Sequence, residues 1–147
     1  MALYRSKSVL ALFFLALGLF MGGCKTGPAH GDEIQSIVAD IAGKNTDIVR
    51  LTVHMPHGDD LVAVASTSAE KRDKPSDPED LRAIETGETV VLAEGENTDV
   101  TVPIRQRDGA FTAAVGVTLS GSDQAAATAK AKDIAASIDS LLTMNGY

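Results

Sequence analysis

The sequence predicts an α+β fold in which a five-stranded antiparallel sheet is flanked by an N-terminal and a C-terminal helix. Three observations carry this. Five stretches between residues 48 and 119 are β-branched or alternate apolar with polar residues, and turn residues separate them. Two outer stretches place apolar residues three and four apart, as an amphipathic helix does. Asp108 and Gly109 sit between two alternating runs, the signal for a two-residue type I′ hairpin turn. With 147 residues, 44% of them hydrophobic, the chain has enough material for one ordinary core.

Each element has its own reason. Asp32 and Glu33 open the first helix where its dipole favours acids. Ile34, Ile37, Val38 and Ile41 make its apolar stripe, and Gly43 and Asn45 end it. Residues 48–55 read as the first strand, with Ile48, Val49, Leu51 and Val53 toward the core and Arg50 and Thr52 opposite. A turn over residues 56–60 leads to a second strand, 61–66. Residues 70–80 are polar and interrupted by proline, a loop. Within it Ser76 caps a short helix over 79–85, with Pro78 near its first position, and Gly87 stops it. Leu81 and Ile84, three apart, are its apolar pair. Residues 89–93 form the third strand.

The last two strands, 100–106 and 111–119, are the best-defined pair. The turn sets residues whose numbers sum to 217 opposite one another. Val100, Val102 and Ile104 then meet Val117, Val115 and Ala113 on a core face. Thr101, Pro103 and Arg105 meet Gly116, Ala114 and Thr112 on a face of small or polar residues that leaves space. Pro103 lacks a donor, so one side of its strand is an edge or a bulge. Ser122 caps a final helix over 123–144, with Ala127, Ala131, Ile134, Ile138 and Leu141 as its stripe and Asn145 and Gly146 closing it.

The N-terminus reads as an address. Arg5 and Lys7 precede residues 9–21, an uncharged run too short to span a bilayer comfortably but the right length for a signal peptide. Gly22 and Gly23 stand before Cys24, the only cysteine. That arrangement resembles the lipobox of bacterial lipoproteins, with Met21 where the pattern prefers Leu. The resemblance implies lipidation of Cys24 after removal of residues 1–23, with residues 24–31 as a tether and 32–147 as the domain. Several acyl chains at about 0.8 kcal/mol per buried CH₂ hold firmly. Lys25, by resemblance to enteric sorting rules, implies the outer membrane, facing the periplasm. The net charge of −7 excludes a nucleic-acid partner, and losing Arg5 and Lys7 makes the mature chain more acidic still.

The order helix, two strands, lid segment, three strands, helix is similar to the PAS-like sensor fold of extracytoplasmic Cache domains. Local wording agrees at residues 64–66, 74–84, 102–104 and 116–118. The resemblance implies a small metabolite bound between the sheet and the segment joining the second and third strands. The amino-acid-binding subset of that family carries an aromatic-rich motif. With no Trp, and with Tyr4 and Tyr147 as the only tyrosines, this chain does not supply it.

Residues that carry chemistry are few. His54 and His57 lie three apart, followed by Asp59 and Asp60, but no third strong metal ligand is evident and solvated histidines are expected. No Gly-x-Ser-x-Gly elbow surrounds Ser66 or Ser68, and no phosphate-cradling glycine loop is present. The expected ligand-binding set is Arg50, Thr52, Thr101, Arg105 and Thr112. Two arginines on one face suit a small carboxylate-bearing metabolite through bidentate hydrogen bonds. The plainer alternative pairs both arginines with lid acids such as Asp77, Glu79 or Asp80. The chain is expected to be a membrane-tethered sensory or ligand-binding domain without catalytic activity, cofactor or metal, acting through an envelope protein partner. The alternative is a structural or interaction lipoprotein with no small-molecule ligand.

Overall fold

The computed structural model describes residues 29–147. The expected signal peptide, residues 1–23, and Cys24 lie outside the described residues. The elements are α1 (Ala29–Lys44), β1 (Ile48–His57), β2 (Asp60–Ser66), α2 (Pro78–Thr86), β3 (Val90–Glu94), β4 (Asn97–Arg107), β5 (Ala110–Ser120) and α3 (Gln124–Met144). The strands form one antiparallel sheet in the order β2-β1-β5-β4-β3, with helices at both ends of the chain, the expected α+β class. α1 starts at Ala29, so residues 29–31, assigned to the tether by sequence, are helical.

The apolar face of the sheet is the core. Val100 lies opposite Val117, Val102 opposite Val115 and Ile104 opposite Ala113, the register set by the Asp108–Gly109 turn, where both residues have positive φ. Leu51 and Val53 extend this face on β1, and Ile34 and Val38 of α1 and Ile134 and Ile138 of α3 cover it. Each fully buried aliphatic side chain contributes about 1.5–3 kcal/mol. Pro103 lies past the end of the β3 pairing, which stops at Thr101, so its missing donor leaves no gap in the ladder.

Three local readings are corrected. Val49 is 54% exposed instead of packed, because a bulge between Ile48 and Arg50 turns it out of the alternation. Asp123, not Ser122, is the N-cap of α3 and accepts from the backbone N–H groups of Ala125 and Ala126. The α3 stripe closes on Leu142 in place of Leu141, since Leu142 lies nearer the centre of the line through Ala131, Ala135 and Ile138.

The opposite face is covered by α2 and the segment before it. Residues 67–77 are not a free loop. Ala63 donates to the Lys74 carbonyl (2.9 Å), Asp73 to Ala63 (2.8 Å) and Ser76 to Leu61 (3.0 Å). The segment therefore straps the outer edge of β2 and covers its unpaired groups. Gly87 then ends α2 at φ 71°, with the Phe111 ring packed where a side chain would be.

Candidate functional site

Alternation along three adjacent strands sends Arg50, Thr52 and His54 of β1, Thr118 and Gly116 of β5, and Asp99 and Thr101 of β4 to the face under α2. α2 presents Asp80 and Ala83 inward, while Leu81 is 43% exposed. The apolar pair of Leu81 and Ile84 is therefore not the most buried part of this helix. Asp80 turns inward because it also secures the helix start, accepting the backbone N–H of Asp77 on Oδ2 (2.9 Å).

The result is a polar layer, buried at His54, Asp80, Asp99, Thr101 and Thr118 and open to solvent at Glu94, Lys71 and Asp77. Thr101 Oγ1 donates to Asp80 Oδ1 (3.2 Å), and Thr118 Oγ1 donates to Asp99 Oδ1 (2.5 Å). Arg50 Nη2 reaches Asp99 (3.4 Å) and Glu94 (3.2 Å). Thr52 and Ser66 share a hydroxyl hydrogen bond (2.9 Å), and Lys71 pairs with Asp77. His54 is buried, with Nδ1 2.8 Å from Ser76 Oγ and 3.4 Å from Asp80 Oδ2. Gly116 forms the floor: a Cβ there would stand 3.6 Å from His54 Nε2. The space left among these side chains is about 20 Å³, enough for a water molecule but not for a metabolite.

Burial sets the protonation of the pair. It lowers His54 to about 4 and raises Asp80 to about 6, because each loses hydration of its charged form. At pH 7 the site holds a neutral imidazole beside a carboxylate. Burial opposes the charge on Arg50, but the hydrogen bond to Glu94 and the charge of Asp99 outweigh it and raise its pKa. Four lining acids, Asp77, Glu79, Asp80 and Asp99, face two cations, Arg50 and Lys71. Ser76 and Asp80 both approach the same ring nitrogen of His54. A nucleophilic triad needs the carboxylate on one nitrogen and the hydroxyl on the other, so this grouping lacks that geometry.

The structure brings together Arg50, Thr52 and Thr101 of the expected set and separates Arg105 and Thr112 from them. Arg105 has φ 59° and no ladder partner, which breaks the alternation that would have put it under the lid. It lies instead at the hairpin end with Gln106, Arg107, Thr112, Asp139 and Thr143, around a cavity of about 150 Å³. The expected pairing of Arg50 with lid acids is corrected: its partners Glu94 and Asp99 come from the sheet, while its side chain lines the space under the lid. His54, Asp80 and Asp99 were missed. Asp99 was legible, since the hairpin register puts it opposite Thr118. His57, Asp59 and Asp60 are exposed and do not converge with His54. Among the described residues, no group of three or more His, Cys, Asp or Glu side chains is placed to hold a metal ion.

No protein-family model and no curated protein matches this chain. Solved structures do. One is a type II free methionine-R-sulfoxide reductase from Thermoplasma acidophilum, with TM-score 0.56 and 14% identity over 76% of this chain and 90% of that one. A second is the GAF domain/HD domain protein from Geobacter sulfurreducens, with TM-score 0.52 and 18% identity over 78% and 94% of the two chains. A third is the GAF domain of an Acinetobacter phosphoenolpyruvate-protein phosphotransferase, with TM-score 0.50 and 13% identity over 83% and 89%. The likeness is one of fold: the domain has the PAS-like α+β architecture that GAF domains share.

Proposed function

We propose that this chain is a non-catalytic sensory or ligand-binding domain, held at the cell envelope by lipid on Cys24, facing the periplasm and acting through an envelope partner. One observation carries the reading: a nine-residue helix covers a buried sheet face that is polar, with two ionisable groups, His54 and Asp99, among its threonines and a third, Asp80, on the helix itself. Aliphatic side chains would fill such a face at lower free-energy cost, and a buried perturbed pair beneath a lid is a common feature of binding sites. The GAF-like fold and the lipobox-like N-terminus support the same reading.

The space of about 20 Å³ means that any solute larger than water enters only as α2 moves outward, so displacement of α2 is the signal. The excess of acids favours a small amine or a neutral hydrogen-bonding solute at this face over the carboxylate expected from Arg50 alone. One feature supports the absence of catalysis: Ser76 and Asp80 crowd one nitrogen of His54.

Thermal unfolding of the full chain in neutral detergent, against pools of small amines, organic acids and nucleobases, tests this. A solute at 100 times its Kd adds about 2.7 kcal/mol, a rise of roughly 5–15 °C for a domain of this size. The rise should disappear in Asp80→Asn. No shift with any pool would overturn the reading. It would favour the second one, an interaction lipoprotein, which the tight filling of the face by its own side chains also suits.

A further inference from the structure

The hairpin end carries a separate feature that the lid-face reading does not use. Arg105 and Arg107 stand two residues apart beside the C-terminal half of α3, where Asp139 and Thr143 complete the wall of the 150 Å³ cavity. Among the described residues, Arg50, Lys71, Arg72 and Lys130 are each within salt-bridge distance of an acid, in a chain where acids outnumber bases 20 to 13. Neither hairpin arginine has such a partner among the described residues, nor do Lys74, Arg82 and Lys132, but the two hairpin arginines share one cavity, with Asp139 in its wall. Arg105 Nη1 has no acceptor among the described residues and almost no accessible surface, so this atom lies behind the cavity wall and the rest of the side chain borders the cavity. A buried guanidinium N–H without an acceptor carries an uncompensated desolvation cost. The backbone adds to it, since Arg105 is held at φ 59°, a conformation few side chains other than Asn and Asp adopt readily. Thr112 Oγ1 donates to the Arg105 carbonyl (2.6 Å) and fixes that conformation.

We propose that the cavity bounded by Arg105, Arg107, Thr112 and Thr143 is a binding site for a small oxyanion, of the carboxylate or phosphate class. The two guanidinium groups supply planar forks matched to such oxygens. The Thr143 hydroxyl supplies a further donor, and the volume admits a phosphate or a short dicarboxylate. Asp139 is the opposing charge in the wall: it limits affinity and selects against weakly held anions. The site lies at the tip of the β4–β5 hairpin against α3, apart from the polar face under α2, and it stands whether or not that face binds a solute.

The test is titration of the full chain in neutral detergent with inorganic phosphate and, separately, with succinate. The arginine Nε–H resonances are followed by NMR, with chloride added to equal ionic strength as the control. The expected result is a saturable shift of the Arg105 resonance by at least one oxyanion and none by chloride; which of the two saturates identifies the class. Arg105→Asn, which tolerates the positive φ, should weaken binding at least tenfold. Arg105→Lys, which keeps the charge but loses the fork, should weaken it severalfold. Asp139→Asn should tighten it severalfold, and Arg50→Ala should leave it unchanged. The proposal is overturned if chloride reproduces the shift, or if neither oxyanion saturates while unaltered melting shows the variants folded. It is equally overturned if Asp139→Asn shifts Arg105 without any anion and abolishes binding, which would make Asp139 the arginine's own partner.

Discussion

The two faces of the sheet solve the same problem with opposite chemistry. On one face, Leu51, Val53, Val100, Val115 and Val117 meet two long helices in a largely aliphatic core. On the other, His54, Asp80, Asp99, Thr101 and Thr118 are just as dry, but a helix of nine residues covers them and every polar group must find a partner. The first face is cheap to bury and tolerates volume-conserving change. The second is expensive to bury, and its stability depends on protonation.

The largest effect expected from breaking this comparison lies on the apolar side. Ile138→Ala removes a fully buried side chain between α3 and the sheet. It should cost about 3–4 kcal/mol in urea unfolding, with the same loss at pH 5 and pH 7. A loss below about 1 kcal/mol would mean that α3 packs loosely. Next comes the C-terminal cap of the helix that covers the polar face. Gly87→Ala places a Cβ 2.6 Å from the Phe111 ring and forces a positive φ on alanine, so about 2 kcal/mol should be lost. A neutral result would show that the α2 C-terminus shifts freely. The smallest effect belongs to the floor of the polar face. Gly116→Ala would meet His54, Asp80 and Thr101 only at ordinary contact distances, 3.6–3.9 Å. Its stability should change by less than about 0.5 kcal/mol, while any solute-induced thermal shift at the lid should fall.

The apolar face was largely legible in the sequence, and the polar one was not. Period-2 alternation and the Asp108–Gly109 turn determine which of Val100, Val102 and Ile104 meet which of Ala113, Val115 and Val117. Those are short-range rules. Arg50, Thr52 and Thr101 followed from the same alternation. Asp80 did not, because helix α2 shows a stronger apolar pair in Leu81 and Ile84, and the orientation was decided by the hydrogen bond from Asp77. Arg105 was misplaced because nothing local marks an arginine that will take a positive φ, and one such residue ends the alternation. Val49 failed for a related reason: a bulge inserts one residue and reverses the faces around it. Residues 70–80 read as a loop, since polar composition says nothing about strapping to a strand edge.

The most direct test of the polar face is the pH dependence of unfolding in wild type, Asp80→Asn and His54→Gln, by urea titration from pH 4 to pH 7. Asp80 is raised from 3.8 to about 6, so its contribution is fully present below pH 3.8 and is lost as pH rises through 6. His54 is lowered from 6.5 to about 4, so its contribution is present above pH 6.5 and is lost as pH falls through 4. Between about pH 4 and 6 the folded chain carries one proton on Asp80 and the unfolded chain one on the histidine, and the two slopes cancel. Relative to wild type, Asp80→Asn should therefore lose about 3 kcal/mol on acidification from pH 6.5 to 4, and His54→Gln should gain a similar amount over the same range. Opposite slopes of that size would establish that His54 and Asp80 are titrating groups buried together beneath α2. Parallel slopes, or two variants as flat as the wild type, would contradict it and leave the lid face as ordinary packing.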